Sequence, residues 1–331
     1  MKTSNFKFLA IICLVAISTQ LKSQNVADLI AGYTGKAEWN ESQKTVTFLT
    51  SGDVAFSEKG AKSFLWEIPT SVTNVFIKKD VRVNAAFHSH ANVTIEGEDR
   101  KTSVVYGTEL QSWPQKNRVV EYTICTFQNF GGTMTVKNLT SLNPRGFHVR
   151  GWGTTMMVSY CDFLDTRGGH GNHSDGVEGG DGSIFDNCYF ETGDDIIKVY
   201  FNILVTNCTI KMVENTVPMQ LGWGNYSNGK TGTFRNLKII GNSGRGAVAN
   251  AIINGRRGNY NVTVNIDGCE IENPNASWVT LNETTTGLIC NVTNARIKVK
   301  SHVGNYLNGK YEFNICGSTE QKAEYNCVNN K

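Results

Sequence analysis

The sequence predicts an all-β chain, a right-handed parallel β-helix (solenoid) with a short N-terminal cap, and three observations predict it. One phrase of short strands recurs: MTVKNLTSL, MMVSYCDFLD, SIFDNCYFET, LVTNCTIKM, TFRNLKIIG, VNIDGCEIEN and NVTNARIKV. Its central slot holds Leu139, Cys161, Cys188, Cys208, Leu237, Cys269 and Ala295, at irregular steps of 20 to 32 residues. Helical repeats of fixed length do not behave this way, whereas stacked β coils with turns that tolerate insertion do. Composition agrees. The 331 residues include 33 Gly, 35 Asn and only 5 Pro, with 18% charged residues, which argues against long helices. A hydrophobic content of 40% excludes disorder. A β-sandwich of hairpins is the alternative, but two-residue Asn-Gly turns between alternating strands are scarce.

In chain order, residues 1–23 read as a signal peptide. Lys2 and Lys7 precede an apolar run over 8–17, and a polar stretch follows to Gln24. The run is too short to span a bilayer, so a secreted protein, extracellular or periplasmic, with no membrane partner is expected. Residues 24–331 read as one parallel β-helix domain. A short helix is expected at 27–31, entry strands in WEIPTSVTNVFIKKDVRVNAAFHSHANVTIEG and at 102–106, and a C-terminal edge near 311–327. A formal net charge of +3 is too weak for a general nucleic-acid binder.

Eight cysteines follow the leader, and in an oxidising compartment four disulfides are the reflex expectation. The repeat points elsewhere. A slot that accepts Cys, Leu or Ala is a packing slot, so Cys161, Cys188, Cys208 and Cys269 are expected as a buried ladder of thiols. Cys316 and Cys327 lie outside it and could pair.

The chemistry is expected between Gly168 and Asn202, where Asp175, Glu178, Asp181, Asp186, Glu191, Asp194 and Asp195 crowd into a chain otherwise poor in charge. Asp175 precedes Asp194 and Asp195 by 19 and 20 residues, close to one coil, and adjacent strands stack at about 4.8 Å. Three carboxylates can then meet on one face. Crowding raises the proton affinity of at least one and prepares it as a general acid, which is the machinery of glycoside hydrolysis. The competing readings are turn-forming Asp-Gly pairs, a calcium site from Asp175, Glu178, Asp181 and the aspartate pair, and a zinc site from His148, His170 and His173. No metal and no cofactor is expected.

SDG at 174–176, GDDIIKVYF at 193–201 and PMQLGWG at 218–224 together resemble the catalytic core of the β-helical glycoside hydrolases that group polygalacturonases with dextranase and isopullulanase. The likeness is nearest to the dextranase-type family 49, with its Asp-Asp-x-Ile-Lys-x-Tyr strand and a Gln-x-Gly-Trp strand one coil later. A separate family acting on sulfated algal polysaccharide is the alternative, because GGHGNH precedes the aspartate pair here and no N-terminal β-sandwich fits. The resemblance implies Asp194 as general acid, and Asp175 and Asp195 as the carboxylates that hold and activate water. It places Lys198 and Tyr200 facing the groove, and Gln220 with Trp223 at a sugar subsite. It also implies inversion, for which an Asp175 to Asp194 separation of about 6.5–9.5 Å is expected.

His173, Glu178, Arg245 and Arg256 complete the expected substrate contacts. Arg145, Arg150, Arg167 and Arg257 add cations suited to sulfate or carboxylate. The expected partner is a polysaccharide, an anionic sulfated galactan or fucan ahead of pectin, with neutral α-glucan next, cleaved in endo fashion. A calcium-dependent polysaccharide lyase and a non-catalytic carbohydrate-binding β-helix are the alternatives.

Overall fold

A computed structural model describes residues 29–30, 32–54, 65–109, 124–168, 174–213, 215–241 and 250–328. The expected signal peptide lies outside these residues, as do His170, His173 and Arg245. Of the helix expected at 27–31 only Leu29 and Ile30 are described, and both are buried.

The described chain is all-β. Its 28 strands join one large mixed sheet that does not close into a barrel, and no helix is among its elements. No helix of the described residues is long and apolar enough to cross a membrane.

Most strands pair in parallel with the strand three elements later, and side-chain alternation converts this into three inward lines. The first runs Phe87, Phe127, Val149, Val177, Ile197, Met219, Ile253 and Val279, each beside the next. The second runs Val75, Ile95, Val136, Val158, Phe185, Val205, Phe234, Ile266, Val292 and Ile315. The third runs Val83, Val105, Ser141, Phe163, Phe190, Ile210, Ile239, Ile271 and Ile297. All are buried, and each large apolar member contributes about 1.5–3 kcal/mol. Antiparallel pairs stand at both ends, Ala37–Asn40 on Thr45–Phe48 and Glu324–Asn326 on Thr286–Leu307.

The slot residues are all buried, and the reason lies one position earlier. Asn138, Tyr160, Asn187, Asn207, Asn236, Gly268 and Asn294 all have φ between 51° and 74°, the left-handed region that Asn and Gly enter most readily. At Asn138, Tyr160, Asn187 and Asn207 the bend turns the chain from one strand into the next, while Asn236, Gly268 and Asn294 bend within a long strand, and in each case the following side chain is buried. Amides tie successive bends together: Asn207 Nδ2 donates to Asp186 Oδ1 at 2.8 Å, and Asn236 Nδ2 to Asn207 Oδ1 at 3.1 Å.

Cys125, Cys161, Cys188, Cys208, Cys269 and Cys290 are free and buried, and Cys316 is bonded to Cys327. The backbone N–H of Cys188 points at Cys208 Sγ at 3.4 Å, as stacked thiols require. Thiol titration of denatured, unreduced protein starting at residue 24 should therefore find six thiols, and two more after reduction. A titration finding none would contradict the ladder.

Candidate functional site

One position after the first inward line, alternation turns the side chains away from the apolar interior. That line reads Glu67, His88, Gln128, Arg150, Glu178, Lys198, Gln220, Asn254 and Thr280. All nine are polar or charged, and all but Glu67 and Arg150 are buried.

Two positions before the inward line stand Asp175 and Asp195. Val177 pairs with Ile197, so these aspartates are direct register partners, and the Gly176 N–H donates to Asp195 O at 2.9 Å. Glycine is required between Asp175 and Val177 by this close approach, since a Cβ at 176 would stand 2.4 Å from Ile196 O. Asp194 arrives from the preceding bond, and its Oδ1 accepts from Asn215 Nδ2 and from the Asp195 N–H, both at 3.0 Å.

One oxygen of each of Asp175, Asp194 and Asp195 lies within 4.8 Å of the other two, and all three residues are buried. Oxygens of Asp175 and Asp194 thus approach more closely than the separation of about 6.5–9.5 Å expected between the two groups. Asp195 stacks on Asp175 and Asp194 is its chain neighbour, so all three carboxyls start from adjacent backbone.

Lys198 binds the cluster together. Its Nζ stands 2.8 Å from Asp175 Oδ1 and 3.4 Å from Asp195 Oδ2, and it donates to Gln220 Oε1 at 3.2 Å. The Phe147 ring centroid lies 4.8 Å from the same ammonium. Tyr200 OH donates to Gln220 Oε1 at 2.6 Å, so the fully buried Gln220 holds Lys198 and Tyr200 from below rather than presenting itself to a sugar. Arg256 Nη2 lies 3.5 Å from Asp195 Oδ1.

Burial raises the Asp175 carboxyl to about 7, opposed by Lys198 and reinforced by the charges of Asp194 and Asp195. Asp195 is raised for the same first reason, with Lys198 opposing. Burial alone would lower the Lys198 ammonium, but Asp175, Tyr200 and Asp195 hold it well above its ordinary range. Lys198 is therefore a fixed cation, and the stacked carboxyls compete for a proton. Such coupled groups titrate as a unit.

Glu178 stands one rung from Lys198. Neither of its oxygens has a hydrogen-bond partner among the described residues, and Arg150 Nε is 3.9 Å away. Burial raises it to about 7, opposed by Arg150 and Lys198.

The other acids of the stretch serve the scaffold. Asp181 pairs with Lys230 at 2.9 Å, Glu191 pairs with Lys211 at 3.1 Å, and Asp186 joins the asparagine bends. The five-acid donor set considered for calcium therefore does not assemble. His148 is buried against Ser141 and Phe163 rather than at the carboxylates.

Aromatic side chains edge the site. His90 stacks on Phe130 with centroids 4.8 Å apart, and Trp152, 46% exposed, follows at the next rung and meets Tyr226 edge-on. Trp223 is exposed too, raised on a turn where Gly222, Trp223 and Gly224 all have positive φ. The Arg256 and Arg257 guanidiniums each lie 5.4 Å from its ring centroid. Trp223 and Gln220 thus lie at different depths. Asn215, Phe147 and Asn254 were not anticipated; none carries a motif, and their places follow only from the register.

No protein-family model matches the chain, and no curated protein matches it significantly.

Glu178 carries a pH signature. Its proton affinity rises from 4.5 to about 7 on folding, so between those values the folded state binds more protons than the unfolded one. Stability therefore falls as pH rises through that window. Glu178→Gln should remove the loss and be more stable than the parent at pH 8 by about 3 kcal/mol, with little difference at pH 4.5. Denaturant unfolding at both pH values checks this, and an equal loss of stability at both would contradict it.

Proposed function

We propose that the chain is a secreted glycoside hydrolase on a right-handed parallel β-helix, cleaving a polysaccharide with Asp175, Asp194 and Asp195. The observation that carries this reading is the cluster itself: three carboxylates within 4.8 Å, from two successive rungs, tied by a buried lysine on a wholly polar face. The parallel pairing of every third strand supports the β-helix, and right-handed crossover is the general rule for parallel strands.

In the proposed mechanism the cluster retains one proton and delivers it through Asp194 to the leaving glycosidic oxygen, as in the enzymes the motif resembles. Asp175 and Asp195 hold and deprotonate the attacking water. Their oxygens are engaged by Lys198 and Arg256, which restrains either from reaching the sugar carbon itself. Water is then the nucleophile and the configuration inverts, on the strength of these roles and not of the carboxylate separation. Exposed Trp152 and Trp223 supply faces for sugar rings. Arg256 and Arg150 favour an anionic sugar, with sulfated galactan or fucan ahead of pectin and neutral α-glucan.

A calcium-dependent lyase is the second reading, favoured by the same trio of carboxylates as oxygen donors. The Lys198 ammonium already among them weighs against a divalent cation there.

Purified protein should release reducing ends from at least one polymer in a panel of sulfated galactan, fucan, pectin and dextran. Asp194→Asn should lower that rate about 10²–10⁴-fold with the fold intact. The rate should fall as pH rises through about 7, where the cluster around Asp175 loses its proton. Proton NMR of the first products should show inversion. Retained configuration, or near parental rates in all three Asp→Asn variants, would overturn the mechanism, while unsaturated products and loss of activity in chelator would establish the lyase.

A further inference from the structure

Beyond the carboxylates the polar line continues as Gln220, Asn254 and Thr280, and here it opens into a groove of about 280 Å³. Three rungs separate Thr280 from Lys198, about 14 Å at strand spacing. Asn254 and Thr280 are more than nine-tenths buried. Asn254 Oδ1 and Thr280 Oγ1 have no partner among the described residues, and neither does Arg256 Nε. Buried polar atoms are rarely left unpaired without a purpose, because each costs about 1–3 kcal/mol. All three residues line the groove.

The rest of the lining sets the charge. Lys300 and Arg256 are its cations, amides and hydroxyls make up most of the remainder, and no acidic side chain is among the lining residues. Tyr306, 55% exposed, supplies an aromatic wall. Arg256 connects the two places, since its Nη2 reaches Asp195 while its Nε faces no partner.

We propose that this groove is a second sugar-binding site, continuous with the carboxylate site, that takes an anionic sugar unit through its sulfate ester or carboxylate. Lys300 and Arg256 bind the anion, Asn254 and Thr280 take ring hydroxyls, and Tyr306 covers one face of the ring. The inference deepens the polysaccharide reading above and rests on it for the polymer, but not for cleavage.

Affinity electrophoresis of the full chain through gels containing dextran, dextran sulfate or carboxymethyl-dextran tests it, because the three share one backbone. Retardation by dextran sulfate alone identifies a sulfate site, and by carboxymethyl-dextran alone a carboxylate site; retardation by both supports a general anion site. Lys300→Ala should weaken the retardation roughly fivefold, the upper size for one partly exposed ionic contact. Lys238→Ala, an exposed lysine on another sheet face, should leave it unchanged. Equal retardation by plain dextran, or equal weakening by both lysine variants, overturns the proposal. Asp194→Asn should bind like the parent, which separates binding from cleavage; a parent chain that cleaves no polymer of the panel yet keeps this pattern defeats the hydrolase reading and leaves the groove standing.

Discussion

Everything in this molecule depends on strands stacking in parallel register on an earlier strand, for most of them the one three elements before. A shift of one residue would turn each apolar line outward and each polar line inward. Left-handed bends at Asn187, Asn207 and Asn236 fix that register chemically, because the residue after each is forced into the interior. The same register sets Asp195 beside Asp175. The three aspartates stand just outside the strands, Asp194 on a bend, and the register of the strands that follow Asp175 and Asp195 sets those two side by side.

Charge is the second constraint. Asp175, Asp194, Asp195 and Glu178 are buried around Lys198, and buried ions cost more than they return unless paired closely. Removing Lys198 would leave uncompensated carboxylates, a loss of about 3–5 kcal/mol. Gln220 and Tyr200 hold that lysine in place from beneath. A site so expensive to bury is a poor stabilising device, and its placement on the polar face between exposed aromatics and a cation-lined groove fits one built for a ligand.

The repeat was legible because its slot and the preceding asparagine are spaced by the chain itself. Leu139, Cys161 and Cys188 therefore landed inside as expected, and Cys161 and Cys188 as free thiols. The carboxylates were legible for the same reason, 20 residues being one full repeat at that point. What eluded the sequence was lateral geometry. The spacing stacks Asp195 on Asp175 but does not say which way the Asp194 side chain turns, and Asp194 brings an oxygen within 4.8 Å of both. Gln220 lies in a motif but is consumed beneath Lys198. Asn254 and Thr280 were out of reach because 34 residues separate Gln220 from Asn254, and only the strand pairing restores them to one line.

The central claim is that the carboxylates direct a water molecule onto a glycosidic bond. Digestion of a susceptible polymer in oxygen-18 water, followed by mass spectrometry of the fragments, tests it most directly. The account predicts one heavy oxygen at the new reducing end for each bond broken, and none in a digest with Asp195→Asn. Fragments that form at the parental rate without the label would show that no water enters the bond, and would contradict it.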